Sequence, residues 1–125
     1  MDCLAAADAA VVASGTATLE TALIGTPFVT IYRVSPISHA LARRLIHARW
    51  ASLPNLLLGE SAVRELLQGE CRPRTIAAEI ERFLDDPAAA AHLREKCGKV
   101  RSILGRGGAA ARAAAAVARE AGWAV

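Results

Sequence analysis

The sequence predicts an α/β fold, a parallel sheet followed by a helical C-terminal tail. Three observations carry this reading. Two short apolar runs, residues 9–14 ("AAVVAS") and 28–33 ("FVTIYR"), have the composition of strands buried on both faces. A helical segment lies between them, with Leu19, Ala22 and Leu23 at helical spacing and a closing "GTP" at 25–27. From residue 73 onward, apolar residues recur only at helical intervals.

Taken in order, residues 2–8 read as the tail of a helix. The strand at 9–14 ends at Gly15, and the helix that follows returns the chain to the strand at 28–33. A βαβ unit of this kind has parallel strands and a right-handed crossover. A helix over 37–49 comes next, then an irregular "WASLPNLLLGE" at 50–60 and a short helix over 61–68. Ile76, Ile80, Phe83 and Leu84 share one face of the next helix, and Leu93, Cys97, Val100 and Leu104 one face of its successor. "GRGG" at 105–108 follows no strand and reads as a flexible joint before a last Ala-rich helix. The chain thus divides into a βαβ-containing half at 1–70 and a helical tail at 71–125 packed on it. Two strands are too few for a parallel sheet covered by helices, so the chain is expected to be the C-terminal portion of something larger.

Composition narrows the function classes. The 125 residues suit one domain, 54% hydrophobic but only 4% aromatic, so the core is expected to be aliphatic. The net charge of +3 comes from scattered arginines, too weak an excess to argue nucleic acid. Cys3, Cys71 and Cys97 are odd in number and far apart, with no C-x-x-C pair and no zinc-ligand spacing. They read as apolar fillers in a reducing cytosol, with no structural metal. His39, His47 and His92 form no cluster and receive no role. No run approaches the roughly 20 apolar residues of a membrane span, and the start "MDCLAAAD" lacks the features of a signal peptide.

The stretch that asks for an explanation is "ASGTATLETALIGTP", residues 13–27. Ser14-Gly15-Thr16 stands at the carboxyl end of a strand, immediately before a helix, where open α/β sheets bind ligands. A helix start offers N–H groups without intrahelical partners and the positive end of the helix dipole, which suits a phosphate or diphosphate. Thr16 and Glu20 share a helical face, whereas Leu19 and Leu23 share another, assigned to the sheet. A carboxylate beside a phosphate needs a different partner, and the two hydroxyls of a ribose fit, which suggests a nucleotide. The competing reading is structural: Ser14 or Thr16 caps the helix and Glu20 complements its dipole. Neither residue has an acid three positions on, as a capping box requires. Both readings stay open on chemistry alone.

"ASGTATLETALIGTPFVTIYRVSP" together with "SLPNLLLGE" and "VRELLQGECRP" resembles the C-terminal part of lipid-A-disaccharide synthase. The resemblance runs from about residue 6 to residue 121. It implies a Rossmann-like nucleotide-binding domain of the two-domain, type B, inverting glycosyltransferase fold. It also implies transfer of 2,3-diacylglucosamine from its UDP derivative to 2,3-diacylglucosamine 1-phosphate, releasing UDP, with no metal ion or other cofactor. By this resemblance Ser14, Gly15, Thr16, Ala17, Thr18 and Glu20 form the UDP-sugar turn and helix. Asn55 of the S-L-P-N loop serves the same site, and Arg33 contacts phosphate or base. Glu20 and Asn55 would support activity, while the acceptor pocket and general base belong to another domain, so that these 125 residues alone are expected to be inactive.

The resemblance further implies peripheral attachment to the cytoplasmic face of a Gram-negative inner membrane and a homodimer formed through C-terminal segments. The basic amphipathic stretch "ISHALARRLIHAR" beside Trp50 suits such a surface, although a solvated helix has the same pattern. Two further readings are a non-catalytic nucleotide-sugar-binding subunit that needs a separate partner domain, and a helical adapter whose glycine turn is purely structural.

Overall fold

A computed structural model describes residues 2–35, 49–105 and 107–123. The predicted basic helix at 37–49, with His39 and His47, lies outside these residues except for its final Arg49. The element order is α1 (Asp2–Ala5), β1 (Ala10–Ala13), α2 (Thr16–Ile24), β2 (Phe28–Tyr32), α3 (Leu53–Leu58), β3 (Glu65–Leu67), a 3-10 turn (Gln68–Glu70), α4 (Pro73–Asp85), α5 (Pro87–Leu104) and α6 (Ala109–Glu120).

The three strands form one parallel sheet in the order β1-β2-β3. Ala10 pairs with Phe28 and Ala13 with Ile31, while Thr30 pairs with Glu65 and Tyr32 with Leu67. In-register partners share a face, so Val12, Thr30 and Glu65 form a row across the sheet. Val29 and Leu66, fully buried, lie on the opposite face. The main core gathers Val12, Ala22, Phe28, Val63, Phe83, Ala90, Leu93, Cys97 and Val100. α5 packs against α2, α3 and α4, and α4 also reaches β1 and β2.

Four differences from the sequence reading have physical causes. The segment 61–68 is not a helix. Leu66 is buried between exposed Arg64 and half-buried neighbours, and pairing with β2 overrides the helix-forming composition of "RELLQ". The sheet therefore has a third strand. The segment 50–60 is not irregular: Ser52 is the N-cap of α3, Pro54 sits in its first turn where its missing N–H costs nothing, and Gly59 closes it at φ 67°.

α2 buries a wider face than the one predicted: Leu19 packs against the core, but threonines join it. Thr18, Thr21 and Ala22 are its buried residues, and Leu19 and Leu23 are only half-buried. Threonine can occupy that face because its hydroxyl bonds back to the preceding turn. Thr18 Oγ1 donates to the Gly15 carbonyl at 2.7 Å and Thr21 Oγ1 to that of Ala17 at 2.8 Å. At the C-terminal ends of the two amphipathic helices, Leu84 and Leu104 are exposed, so the buried stripes stop at Phe83 and Val100.

Candidate functional site

All three strands point their carboxyl ends at one edge. The chain leaves β1 through Ser14 and Gly15, β2 through Arg33 and Val34, and β3 through Gln68. Gly15 has φ 146° and ψ −161°, a conformation open essentially to glycine alone. A Cβ built on it would meet nothing within 4 Å, so the backbone angle and not crowding demands glycine, and the space beside it is open.

Gly15 is the N-cap of α2, and no side chain caps that helix. Neither Ser14 nor Thr16 therefore caps α2. Ser14 is anchored elsewhere: its N–H donates to the Ile31 carbonyl at 2.9 Å and its hydroxyl to the Ala51 carbonyl at 2.6 Å. Thr18 spends both its N–H, at 3.1 Å, and its hydroxyl on the Gly15 carbonyl. The N–H groups of Gly15, Thr16 and Ala17 remain as helix-start donors without intrahelical partners, all three on exposed residues. The turn thus offers backbone donors, whereas the Ser14 and Thr18 hydroxyls face inward.

Glu20 is exposed, one turn into α2, and makes no hydrogen bond or ion pair among the described residues. Arg33, just past β2, is likewise exposed and unpaired there. Two cavities among the described residues lie elsewhere. One sits under α2 and α5 by Gly25, Arg94 and Arg101, the other beside Arg64, Gly69 and Arg72. Neither of them is lined by Gly15, Thr16, Ala17 or Glu20.

Asn55 stands apart from its predicted role. It is fully buried, its Oδ1 accepts from the Val63 N–H at 2.8 Å, and its Nδ2 donates to the Val63 carbonyl and to Glu65 Oε1, both at 2.8 Å. No part of the amide is left to touch a ligand. Asn55 instead holds α3 against the approach to β3, and reading it as a direct substrate contact is corrected accordingly.

Sequence reasoning missed Glu65. Its Oε2 accepts from the Ala51 N–H at 2.8 Å, and its Oε1 accepts from the Ser52 N–H at 2.9 Å, the Ser52 hydroxyl at 2.7 Å and Asn55 Nδ2. The signal that could have found it is a carboxylate in an otherwise apolar triplet, Glu65–Leu67, which is unusual in a buried strand. Gln68 is the one non-glycine residue at positive φ, 47°, among the described residues. Its Oε1 accepts from the Val34 N–H at 3.3 Å, while its Nε2 is buried without a partner. Trp50 carries the Arg49 guanidinium 5.2 Å from its ring centre.

Of the three cysteines, Cys97 lies in the core, Cys71 is half-buried and Cys3 is exposed. Burial pushes the Cys97 thiol up to about 11, against a smaller opposing pull from Arg101. Among the described residues no group of three His, Cys, Asp or Glu side chains is placed to hold a metal ion.

An open glycine turn with free helix-start amides recurs on many nucleotide-binding sheets, so comparison with known proteins decides the family. The family model described as "Lipid-A-disaccharide synthetase" matches residues 1–118. The chain belongs to the lipid-A-disaccharide synthetase family. A Lipid-A-disaccharide synthase from Syntrophus aciditrophicus is 49% identical over 113 residues, covering 90% of this chain and 30% of that protein. One from Trichlorobacter lovleyi is 46% identical over 116 residues, 93% of this chain and 30% of its own length. One from Sodalis glossinidius reaches 56% over 81 residues, 65% of this chain and 21% of that protein. The chain thus spans about 30% of the length of the first two of these family members.

Proposed function

We propose that this chain supplies the UDP-sugar side of lipid A disaccharide formation. In that reaction 2,3-diacylglucosamine passes from its UDP derivative to 2,3-diacylglucosamine 1-phosphate with inversion at the anomeric carbon. One observation carries the proposal: in a chain of this family, the amides of Gly15, Thr16 and Ala17 lack partners among the described residues at the carboxyl edge of a parallel sheet.

The diphosphate lies against those amides, where the N–H groups and the positive end of the α2 dipole meet its charge. Glu20, on the same helix and unpaired among the described residues, accepts from the two ribose hydroxyls. Arg33 supplies the cation. As the glycosidic bond of the donor breaks, negative charge grows on the departing UDP, and preorganised N–H donors with one guanidinium stabilise it. The acceptor hydroxyl and the base that takes its proton come from another domain of the two-domain, type B architecture. Val11 on β1 is 44% exposed, which supports further cover on that face of the sheet from the rest of the protein, since parallel strands are normally covered on both faces.

The membrane-peripheral habit and the homodimer belong to the same proposal. No described helix is long and apolar enough to cross a membrane. Titration calorimetry with UDP tests the core of the reading. Binding by the wild type that Glu20→Ala weakens about tenfold or more supports it, as expected for losing two hydrogen bonds to a carboxylate. Equal binding by both proteins, or none by either, overturns it.

A further inference from the structure

Glu65 has an unusual position: a carboxylate in a row with Val12 and Thr30 across a buried sheet, with no Lys or Arg at ion-pair distance among the described residues. Its charge is met instead by four donors, the N–H groups of Ala51 and Ser52, the Ser52 hydroxyl and Asn55 Nδ2. Donors that meet an ionised acceptor give the stronger class of hydrogen bond. Two successive amides held on one carboxylate leave the 51–52 segment a single orientation.

The consequence reaches the glycine turn. Ser52 N–H and Ala51 C=O belong to one planar trans peptide and therefore point in opposite directions. With the N–H fixed on Glu65, the carbonyl is directed at Ser14, whose hydroxyl it accepts at 2.6 Å. Gly15 has no side chain to hold the turn and nothing within 4 Å of its Cβ direction, so the turn depends on the anchors of Ser14 and Thr18. We propose that Glu65 is a positioning residue for the nucleotide-sugar site: through the 51–52 peptide and Ser14 it sets where the Gly15, Thr16 and Ala17 amides point. The inference rests on the proposed UDP site for its functional meaning, but not for its geometry.

The test is Glu65→Gln, made in the protein expressed at the full length of its gene. A glutamine amide can keep its oxygen at the three donors on Oε1, but then turns an NH2 group toward the Ala51 N–H, donor against donor. Ser14→Ala cuts the same link from its other end, on a half-buried residue outside the core. Hydrogen exchange without ligand is read on the peptide spanning residues 14–19, and UDP affinity by calorimetry.

In each variant, exchange is expected to accelerate and UDP affinity to fall, both about tenfold, as for one lost charge-assisted bond. The double variant should be no worse than either single. Unchanged exchange at 14–19 in a Glu65→Gln protein that melts like the wild type overturns the proposal, and so do effects that multiply in the double variant. Should Glu65→Gln fail to fold, unchanged exchange in Ser14→Ala overturns it equally. A wild type that binds no UDP sinks the nucleotide reading instead and leaves the exchange result to decide the positioning role.

Discussion

Asn55 and Val63 pair as two strand residues would, the Asn55 amide accepting from the Val63 N–H and donating to the Val63 carbonyl, each at 2.8 Å. A side chain thereby completes the backbone bonding of a fully buried residue just ahead of β3. Asn55→Ala strands that N–H and carbonyl away from water and removes a donor from Glu65. We expect a loss of about 3 kcal/mol, measured by chemical denaturation. Any fall in activity should track the fraction unfolded or the disorder of α3, because the amide has no face toward a ligand.

Gly15→Ala separates conformation from space. Nothing would touch the added methyl, yet φ 146° is strained for any residue with a Cβ. A destabilisation of about 1–3 kcal/mol is expected, together with weaker UDP binding as the freed backbone rotates the turn amides. A melting temperature and UDP affinity equal to wild type would show that the glycine is not required.

Arg33 and Glu20 are assigned to different parts of one ligand, which makes them separable. Arg33→Ala should weaken UDP binding by severalfold, within the range of an exposed charge contact, and leave uridine binding unaffected. Glu20→Ala should weaken both ligands. Calorimetry with the two ligands reads the difference, and equal losses on uridine from both substitutions would remove Arg33 from the phosphate.

Cys97 predicts a pH dependence. Burial raises its thiol from an ordinary value of 9.0 to about 11, so the folded state disfavours the thiolate. The unfolded chain therefore releases this proton first as pH rises. The contribution to stability is whole below about 9 and is lost as pH climbs toward about 11. Cys97→Ser should flatten that part of a denaturation-against-pH curve, and at pH 8 alkylation should label exposed Cys3 well before Cys97.

Several features were legible in the residues themselves because their signals are local. β1, α2 and β2 announce themselves through apolar runs, helical spacing and the Gly25-Pro27 stop, and α5 through Leu93, Cys97 and Val100. The glycine turn was legible for the same reason: where a strand meets a helix, the unpaired amides follow from helix geometry whatever packs around them.

Other features depend on partners distant in sequence. Three residues cannot show the alternation that marks a strand, so β3 exists only because β2 lies beside it. Thr18 and Thr21 are buried beside Leu19 because the sheet and α5 cover that side of α2. The inward turn of Asn55 and the junction of Ser14 with Ala51, 37 residues away, are likewise set by folding. By itself the sequence determined the βαβ unit, the open turn and the family pattern, all written in neighbouring residues. Tertiary structure alone decided which polar side chains were consumed in building the edge and which kept no partner among the described residues, since a hydrogen bond is assigned only once both of its partners are in place.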